Sequence, residues 1–472
     1  MDTASRPSRP NTLGGRSLAA VGLLALAVRL ALIFLVVDPG RADTAFENGE
    51  IARELAAGNG FRFSFFGPPE PSSHQAPFVP WTLAAAYKLF GTGSPAALRA
   101  WSVLAAAAGA LACVLAAALG ARLVRPAVGL WAGAGAALYP PLAYAATRVQ
   151  TINFTIPFLL GLVWLAMRCR ERPTKGRGLA FGVLGGLALL CDPITAAALA
   201  VLTCWTGLSI ARDSSQGARS ALRACGIALL GGCLVLAPWT VRNWSVHGRL
   251  IPVKSSFGYV FWQGNNPNAT GTDKLPPSGP PAGADPPAVR DPAREEAELD
   301  RRRLEVRSVD ETMPEDLRAA LRAQPDEIRR MDILEERARE WILAHPADYA
   351  RLCLKRLAYL LWFDPTNPRS SSLYYRLSYF LLLVLAVPGI VLSARRGGPW
   401  APLSIAALAQ AAVHVLVITS ARFRLPLEAC LLLPAAHFAG YFAAHLTAYL
   451  TAEVSAPDSY RRMEGRGDQR SA

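Results

Sequence analysis

Acidic residues that follow the first apolar stretch of this chain have a type and spacing that suit acid–base chemistry. They are Asp38, Asp43, Glu47 and Glu50, and Asp43 and Glu47 are four residues apart. If this segment is helical, both side chains project from one side of the helix. A carboxylate at an apolar boundary can act as the general base for a hydroxyl or an amine. The alternative is a solvated loop with ordinary acidic side chains, because carboxylates mark sites only statistically.

Two arginines near the other end of the sequence have a type that suits phosphate binding. Arg422 and Arg424 stand in the short connection before the last apolar stretch. Guanidinium groups hold phosphate or pyrophosphate through charge-assisted hydrogen bonds. Anchoring of the two side chains at lipid headgroups is the alternative. Three further residues could add polar contacts: Arg148, Arg242 and Asn243.

Two isolated polar residues complete the candidates. His74, in the first polar loop, could bind an acceptor or transfer a proton, although a lone loop histidine more often does neither. Asp192 precedes Pro193 between two apolar stretches. It could supply a second carboxylate, or it could simply cap a helix. The eight cysteines form no C-x-x-C pair, so the sequence predicts neither a disulfide framework nor a zinc knuckle.

The elements that must position these residues are apolar helices. Crossing the hydrocarbon core takes roughly 20 apolar residues, and residues 17–37 meet this length with one interior arginine. Nine similar stretches follow, at 98–121, 127–145, 151–168, 178–191, 193–211, 221–240, 374–393, 400–419 and 425–450. The composition is 52% hydrophobic, and the mean hydropathy is +0.24. We therefore predict an all-α integral membrane protein with about ten transmembrane helices, within a range of roughly 9–11.

Lysines and arginines predict the orientation of these helices. The short connections that fall on one side of the membrane are basic, at 122–125, 168–177, 212–223 and 395–396. By the positive-inside rule that side is cytoplasmic, so the two long polar loops are extracytoplasmic. The net charge of +14 follows from this topology and gives no reason to expect nucleic acid as a partner. The Ala-, Arg-, Gly- and Pro-rich composition suggests a bacterium, and hence its cytoplasmic membrane.

This topology divides the chain into five predicted segments. They are a cytoplasmic tail (1–16), a transmembrane catalytic core with the first outer loop (17–240, loop 38–97), a large outer loop (241–373), C-terminal transmembrane helices (374–450) and a second cytoplasmic tail (451–472). Apolar periodicity predicts amphipathic helices in both outer loops, at 46–57, 77–90 and 341–362. Residues 293–307 and 314–340 are charged and helix-favouring, and helices are expected there too.

Three sequence blocks on the predicted outer face resemble one family. The first is F-E-x-G-x-I-A-x-x-L-A-x-G-x-G-F at 46–61, followed by A-P-x-x-P-x-x-L-A at 76–84 and L-F-G at 89–91. The second is P-W-T-V-R-N-W at 238–244, followed by G-N-N-P at 264–267, and the third is R-F-R-L-P-L-E at 422–428. Together they look like glycosyltransferase family 39-like proteins. These are bacterial relatives of dolichyl-phosphate-mannose protein mannosyltransferases, within the GT-C superfamily.

This resemblance implies an enzyme that takes a sugar from a polyprenyl-phosphate donor on the outer membrane face. The acceptor would be a glycolipid, a polysaccharide or a protein, and the displacement would be inverting. Glu47 would be the general base with Asp43 as its rival, and Arg422 and Arg424 would contact the donor phosphate. The lipid tail would lie between transmembrane helices. No tightly bound cofactor is required; a divalent metal occurs in some relatives, but the sequence shows no ligand cluster for one.

The chain also departs from the family pattern. Many relatives have a second acidic residue after the third span, where this sequence has Gln150. Either the second acid is dispensable, or Asp192 takes its role from another outer connection, or this member is altered in activity. Two other functions stay open. One is a transporter without chemistry, which predicts paired polar residues inside the spans. The other is a ligase or oligosaccharyltransferase of the same superfamily that uses a pyrophosphate-linked donor.

Overall fold

The fold is built almost entirely from helices. The computed structural model describes residues 12–39, 45–213, 217–276, 306–395 and 400–455. The first half contains α1 (Gly15–Ala31), α2 (Phe46–Ala57), α3 (Phe78–Phe90), α4 (Pro95–Leu123), α5 (Pro126–Leu138), α6 (Pro140–Ala145), α7 (Ile152–Glu171), α8 (Lys175–Cys191), α9 (Thr195–Ala211) and α10 (Gly217–His247). The second half contains α11 (Phe257–Gly264), α12 (Glu315–Ala323), α13 (Glu327–Ala344), α14 (Pro346–Leu361), α15 (Leu373–Arg395), α16 (Ala401–Leu416) and α17 (Leu425–Ser455).

Short irregular elements supplement these helices. A π-helical turn, Leu32–Val36, continues α1, and 3-10 turns lie at Val309–Thr312, Pro368–Ser371 and Ala421–Arg424. Two short strands, β1 (Arg62–Phe63) and β2 (Glu70–Pro71), pair antiparallel. No other pair of strands occurs in the ranges that the structure covers.

Many of the helices are suited to a membrane. Among the described residues, six helical segments are long and apolar enough to cross one: α1 with its π-helical turn, α4, α7, α10, α15, and α17 with the 3-10 turn before it. Three shorter apolar helices, α5, α9 and α16, lie among them. Each of the ten apolar stretches found in the sequence coincides with helix, so the prediction of an all-α membrane fold is confirmed. The chain is a multi-pass membrane protein by the length and composition of its helices.

Proline and small residues determine where these helices end and how closely they pack. Pro140 divides the predicted 127–145 stretch into α5 and α6, because Tyr139 before it adopts an extended conformation, as a residue preceding proline prefers. Gly182 of α8 faces the carbonyl oxygen of Ala228 in α10 so closely that a Cβ could not fit. Such small residues let membrane helices approach each other.

The two long polar loops meet at one end of the helix bundle. Phe61, Phe63 and Phe65 of the first loop share a hydrophobic cluster with residues of α12 and α13 in the second. Arg330 of α13 forms an ion pair of 2.7 Å with Glu70 of the first loop. At the other end of the bundle, Arg122 pairs with Glu171, and Arg177 donates to the carbonyl oxygen of Arg168. The two loops therefore lie on the same side of the helical layer.

The loop helices differ in detail from the sequence prediction. Helix α2 covers the predicted 46–57, and Gly58 ends it with a φ of +86°. Helix α3 matches the predicted second helix of this loop. In the second loop, the predicted helix at 314–340 is divided, because Gln324 ends α12 in an extended conformation. Most of the predicted helix at 293–307 lies outside the described residues.

Candidate active site

A cavity of about 880 Å³ opens where the helix bundle meets the outer loops. Its walls come from distant parts of the sequence: the end of α1, the start of α2, α6, the second outer loop and the 3-10 turn before α17. The cavity has an apolar half within the helical layer and a polar half under the loops. This division suits a ligand with a hydrocarbon chain and a charged head.

The end of α1 forms most of the apolar half. The lining residues from this helix and its π-helical turn are Val28, Ala31, Leu32, Leu35 and Val36. Leu35 is 81% exposed, so this wall also opens sideways, out of the bundle. A π-helical turn is rare and often occurs at functional sites. Pro140, Pro141 and Leu425 line the same half from α6 and α17.

Glu47 lies in the polar half, in the first turn of α2. Phe46 before it has a φ of +44°, a left-handed conformation that is strained for an aromatic residue. The Glu47 carboxylate forms neither a hydrogen bond nor an ion pair with any residue that the structure describes. Backbone strain of this kind clusters at functional sites in proteins. Asp43, its predicted rival, lies outside the described residues.

The other acidic residues of this segment are engaged elsewhere. Asp38 forms an ion pair with Arg99 at 3.1 Å. Glu50 accepts a hydrogen bond of 2.9 Å from the backbone nitrogen of Ser64. Neither residue lines the cavity. Of the described acidic residues between 38 and 50, Glu47 alone lines the cavity.

The two candidate phosphate-binding arginines have different surroundings. Arg422 is exposed and lines the cavity; its guanidinium lies over the Phe423 ring at 5.1 Å and makes no hydrogen bond within the described part of the chain. Arg424 is buried and does not line the cavity. Its Nε donates to Glu428 at 2.6 Å, and its other nitrogens donate to the Trp362 carbonyl and to the Tyr375 hydroxyl. Of the two, only Arg422 is therefore free to meet a phosphate in the cavity.

Two more arginines line the cavity beside one aromatic ring. The Cζ atom of Arg369 lies 3.3 Å from the centroid of the Tyr144 ring. Arg148 lies at 5.1 Å from the same centroid and donates to the Tyr144 hydroxyl. All three residues line the polar half. Stacking on an aromatic ring fixes a guanidinium in place while leaving its edge available for other partners.

The second outer loop supplies the opposite polar wall, which includes Tyr259, Gln263 and Asp310. The Tyr259 hydroxyl donates to Asp310 Oδ2 at 2.5 Å, and Gln263 donates to the same carboxylate at 3.2 Å. Burial, followed by the charge of Asp310, raises the pKa of Tyr259, which is therefore protonated and can only donate to Asp310. This wall presents fixed polar groups to whatever occupies the cavity.

Arg242 and Asn243, two candidate binding residues, join α10 to the first outer loop. Arg242 donates to the carbonyl oxygens of Ser72 and Phe61, at 2.5 and 3.0 Å. Asn243 is fully buried; its amide nitrogen donates to Ile251 and Val253, and its amide oxygen accepts from Ser73. Neither residue lines the cavity. The structure gives them a scaffolding role.

His74 is also buried behind the cavity. Its ring packs between Phe63 and Phe65, with centroids at 4.5 and 4.8 Å, and near Tyr259. Burial, assisted by the charge of Lys254, lowers the pKa of His74 to about 3. The imidazole is therefore neutral at physiological pH. It is not placed to take part in proton transfer at the cavity surface.

Asp192 lies at the turn between α8 and α9. Its carboxylate accepts a hydrogen bond of 3.0 Å from the Thr155 hydroxyl and one of 3.4 Å from the backbone nitrogen of Ile194. The second contact closes a local turn before the helix. Helix α9 begins only at Thr195, with Ile194 as its N-cap and no side-chain cap, so the prediction that Asp192 caps the helix at Pro193 was wrong. Gln150, at the position where relatives have an acid, does line the cavity.

Sequence reasoning missed three residues that line the cavity: Tyr144, Lys274 and Arg369. None of the three belongs to a motif with a recognisable spacing. The one signal that could have indicated Lys274 and Arg369 is their positive charge in an outer loop, where the positive-inside rule predicts few basic residues.

The acidic side chains around the cavity are spread too widely to ligate a metal ion together. No group of three or more His, Cys, Asp or Glu side chains that could hold an ion occurs in the described ranges. The carboxylates at the cavity, Glu47, Asp273 and Asp310, therefore do not form such a group. The expectation that no tightly bound cofactor is required stays a prediction.

Comparison with known proteins finds similarity among solved structures. No family model matches the chain, and no curated protein does. The oligosaccharyltransferase AglB from Archaeoglobus fulgidus, in complex with an inhibitory peptide and a dolichol-phosphate, aligns with 12% identity and a TM-score of 0.45, over 93% of this chain and 52% of AglB. ArnT from Cupriavidus metallidurans, bound to undecaprenyl phosphate, aligns with 15% identity and a TM-score of 0.38, over 89% of this chain and 77% of ArnT. The apo form of AglB aligns with 13% identity and a TM-score of 0.46, over 93% of this chain and 52% of that one.

These neighbours are GT-C glycosyltransferases, the superfamily that the sequence blocks resemble. This chain spans about half the length of AglB, since it covers 52% of it. With identities below 25% and TM-scores below 0.5, the similarity assigns no substrate, partner or activity to this chain.

Proposed function

We propose that this chain transfers a sugar from a polyprenyl-phosphate-linked donor to an acceptor at the outer face of a bacterial cytoplasmic membrane. The acceptor would be a glycolipid, a polysaccharide or a protein. The observation that carries the proposal is one cavity that joins an apolar wall, an unengaged carboxylate and an unengaged guanidinium. A donor with an isoprenoid tail and a phosphate head matches these three features at once.

The apolar wall and the arginines support the donor assignment. The tail would lie against the end of α1, where the wall opens sideways into the lipid. The phosphate would lie at the boundary between the halves, within reach of Arg422 and beside the Arg148–Arg369 pair on Tyr144. Charge-assisted hydrogen bonds to a leaving phosphate stabilise the charge that develops as the bond to the sugar breaks.

Glu47 supports the transfer step. In this step, the acceptor oxygen attacks the anomeric carbon while the bond between that carbon and the phosphate oxygen breaks. The acceptor proton passes to Glu47, and polyprenyl phosphate leaves with the bonding electron pair. Attack from the face opposite the phosphate inverts the configuration, and it requires only a positioned base and a stabilised leaving group.

The decisive experiment measures transfer with Glu47 altered. Protein reconstituted in vesicles is offered undecaprenyl phosphate carrying a radiolabelled hexose or pentose, together with membrane extract as the acceptor. The wild-type protein is expected to transfer label, and Glu47→Gln is expected to lose this activity while remaining folded. Glu50→Gln is the matched control, because Glu50 lies in the same helix, faces away from the cavity and should remain active.

The outcomes separate the competing functions. Transfer only from a pyrophosphate-linked glycan would replace the donor assignment with that of the ligase or oligosaccharyltransferase type. Release of the labelled lipid across the vesicle membrane without transfer would favour a transporter. Full activity of Glu47→Gln would remove Glu47 from the role of base.

A further inference from the structure

The part of the cavity wall that comes from the second outer loop is built around the carboxylate of Asp310. Three neutral side chains donate to this carboxylate: the Tyr259 hydroxyl at 2.5 Å, the Ser308 hydroxyl at 3.0 Å and the Gln263 amide at 3.2 Å. No arginine, lysine or histidine among the described residues forms an ion pair with it. Three donors therefore fix the orientation of the carboxylate, while no cation is paired with its charge.

The backbone that carries Asp310 is also held in place. Asp310 belongs to the 3-10 turn Val309–Thr312, and a capping box between Ser308 and Glu311 closes the start of this turn. Arg318 of α12 donates to the backbone carbonyl of Asp310 at 3.1 Å. The carboxylate is thus positioned by its support as well as by its own hydrogen bonds, which is the arrangement that a binding group requires.

Hydrogen-bond acceptors dominate at Tyr259, Gln263 and Asp310, which we call the acceptor patch. All three residues line the cavity. An ionised carboxylate only accepts, and its two oxygens offer about four positions for donors. Tyr259 uses its only O–H proton on Asp310, and Gln263 turns its amide nitrogen toward the same carboxylate. The phenol oxygen, the amide oxygen and part of the carboxylate therefore remain for donors in the cavity.

Donors line the same cavity from other elements. They include the guanidinium groups of Arg148, Arg369 and Arg422. A phosphate group carries acceptors and negative charge, so it is attracted to these arginines and repelled by the carboxylate of Asp310. A sugar hydroxyl can donate, and its hydrogen bond to a carboxylate is charge-assisted and roughly twice as strong as a neutral one. A sugar linked to a phosphate matches both kinds of group.

We propose that the acceptor patch binds hydroxyl groups of the sugar that the donor lipid carries, with Asp310 as the residue that contacts them directly. This inference rests on the proposed function for the identity of the donor, and it adds the part of the cavity that recognises the sugar. The phosphate stays with the arginines while the sugar reaches the patch. Glu47 lines the same cavity, so the base and the sugar share one enclosure.

Binding measurements that need no transfer test this assignment. Native mass spectrometry in nanodiscs gives the affinities for undecaprenyl phosphate carrying mannose, glucose, galactose or arabinose, and for analogues in which one hydroxyl of the sugar is replaced by hydrogen. For at least one sugar, loss of one hydroxyl should weaken binding to the wild-type protein by about 10- to 100-fold, the value expected for a hydrogen bond to a charged group. The same loss should have little effect in Asp310→Asn, because the two changes remove one interaction.

Two results of this comparison contradict the inference. Wild-type protein that binds every deoxy analogue as tightly as its parent lipid has no hydroxyl-binding patch. A hydroxyl that matters equally in the wild-type protein and in Asp310→Asn is bound elsewhere. All lipids in the comparison carry the same charge, so differences in phosphate binding cancel.

A neighbouring residue provides the matched control. Glu311 follows Asp310 and caps the same turn, but it is exposed and does not line the cavity. Glu311→Gln should discriminate between the lipids as the wild-type protein does, and an equal loss there would show that Asp310→Asn acts by loosening the turn. Should Asp310→Asn fail to fold, Tyr259→Phe removes the shortest hydrogen bond to the carboxylate and should reduce the discrimination; unchanged discrimination would overturn the inference.

The binding test and the transfer assay fail separately. Discrimination that depends on Asp310 in a protein that transfers no sugar keeps the inference about binding and removes the proposed function. Sugar transfer by a protein whose discrimination ignores Asp310 does the reverse. In an active enzyme, Asp310→Asn should raise the KM for the donor lipid. A rise confined to the KM for the acceptor would assign the patch to the acceptor and overturn the inference.

Discussion

Replacing Arg422 with alanine should weaken lipid-phosphate binding without affecting stability. Its guanidinium is exposed, lines the cavity and makes no hydrogen bond with the residues that the structure includes. A hydrogen bond to a charged group contributes about 1.5–3 kcal/mol. Since each 1.4 kcal/mol corresponds to roughly a tenfold change in affinity, losing one such bond should weaken binding of undecaprenyl phosphate by about 10- to 100-fold.

Arg424 provides the contrast, because it lies two residues away and has the same chemistry. It forms a buried ion pair of 2.6 Å with Glu428, and both side chains are at most 3% exposed. Removing one partner of a buried ion pair costs about 3–5 kcal/mol, because the other charge is left uncompensated. Arg424→Ala should therefore lower the free energy of unfolding and the melting temperature.

Two measurements on the same preparations check this contrast. Native mass spectrometry with undecaprenyl phosphate gives the affinity, and tryptophan fluorescence during heating gives the melting temperature. Arg422→Ala is expected to weaken the affinity for undecaprenyl phosphate, and Arg424→Ala is expected to lower the melting temperature. If Arg422→Ala binds undecaprenyl phosphate as the wild-type protein does, Arg422 does not contact the phosphate and the division between the two arginines is refuted.

Two further predictions concern stability. Burial lowers the pKa of His74 to about 3, below the ordinary value of about 6.5. The contribution of the neutral imidazole to the free energy of unfolding is therefore complete above pH 6.5, and about 1.4 kcal/mol of it is lost per pH unit as the pH falls from there toward 3. Thermal unfolding at several pH values should show that stability depends less steeply on pH in His74→Phe, and an equally steep dependence would contradict the burial of His74. Gly389→Ala in α15 should destabilise the protein, because the new Cβ would overlap the Pro434 carbonyl oxygen of α17. Gly226→Ala is the control, because its Cβ would meet open space. Equal melting temperatures for the two variants would show that α15 and α17 pack less closely than described.

The helices of the membrane layer were predictable because hydrophobicity is a property of each short segment. All ten apolar stretches form helices, and the end of α2 at Gly58 follows from glycine's freedom at positive φ. The division at Gln324 was missed although the sequence carries its signal. Pro325 follows Gln324, and a residue before proline prefers an extended conformation. Asp326 then caps the start of α13 by accepting hydrogen bonds from the backbone nitrogens of Ile328 and Arg329.

The site was predictable only in part. Glu47 and Arg422 were found because each lies in a recognisable block beside the membrane. The sequence could not separate Arg422 from Arg424, because the difference between them is the burial of the Arg424–Glu428 pair, which depends on the packing of α15 and α17. Lys274 and Arg369 were missed because they line the cavity only after distant segments have met.

The way the cavity is divided among segments has a consequence for biosynthesis. Glu47 leaves the ribosome early, whereas the turn that bears Arg422 follows only after α16. A nascent chain can insert most of its helices and still lack one wall of the cavity. Slow insertion of the final hairpin would then leave an intermediate with an open lipid-facing cleft, and the yield of correctly folded protein would depend on how fast that hairpin is integrated.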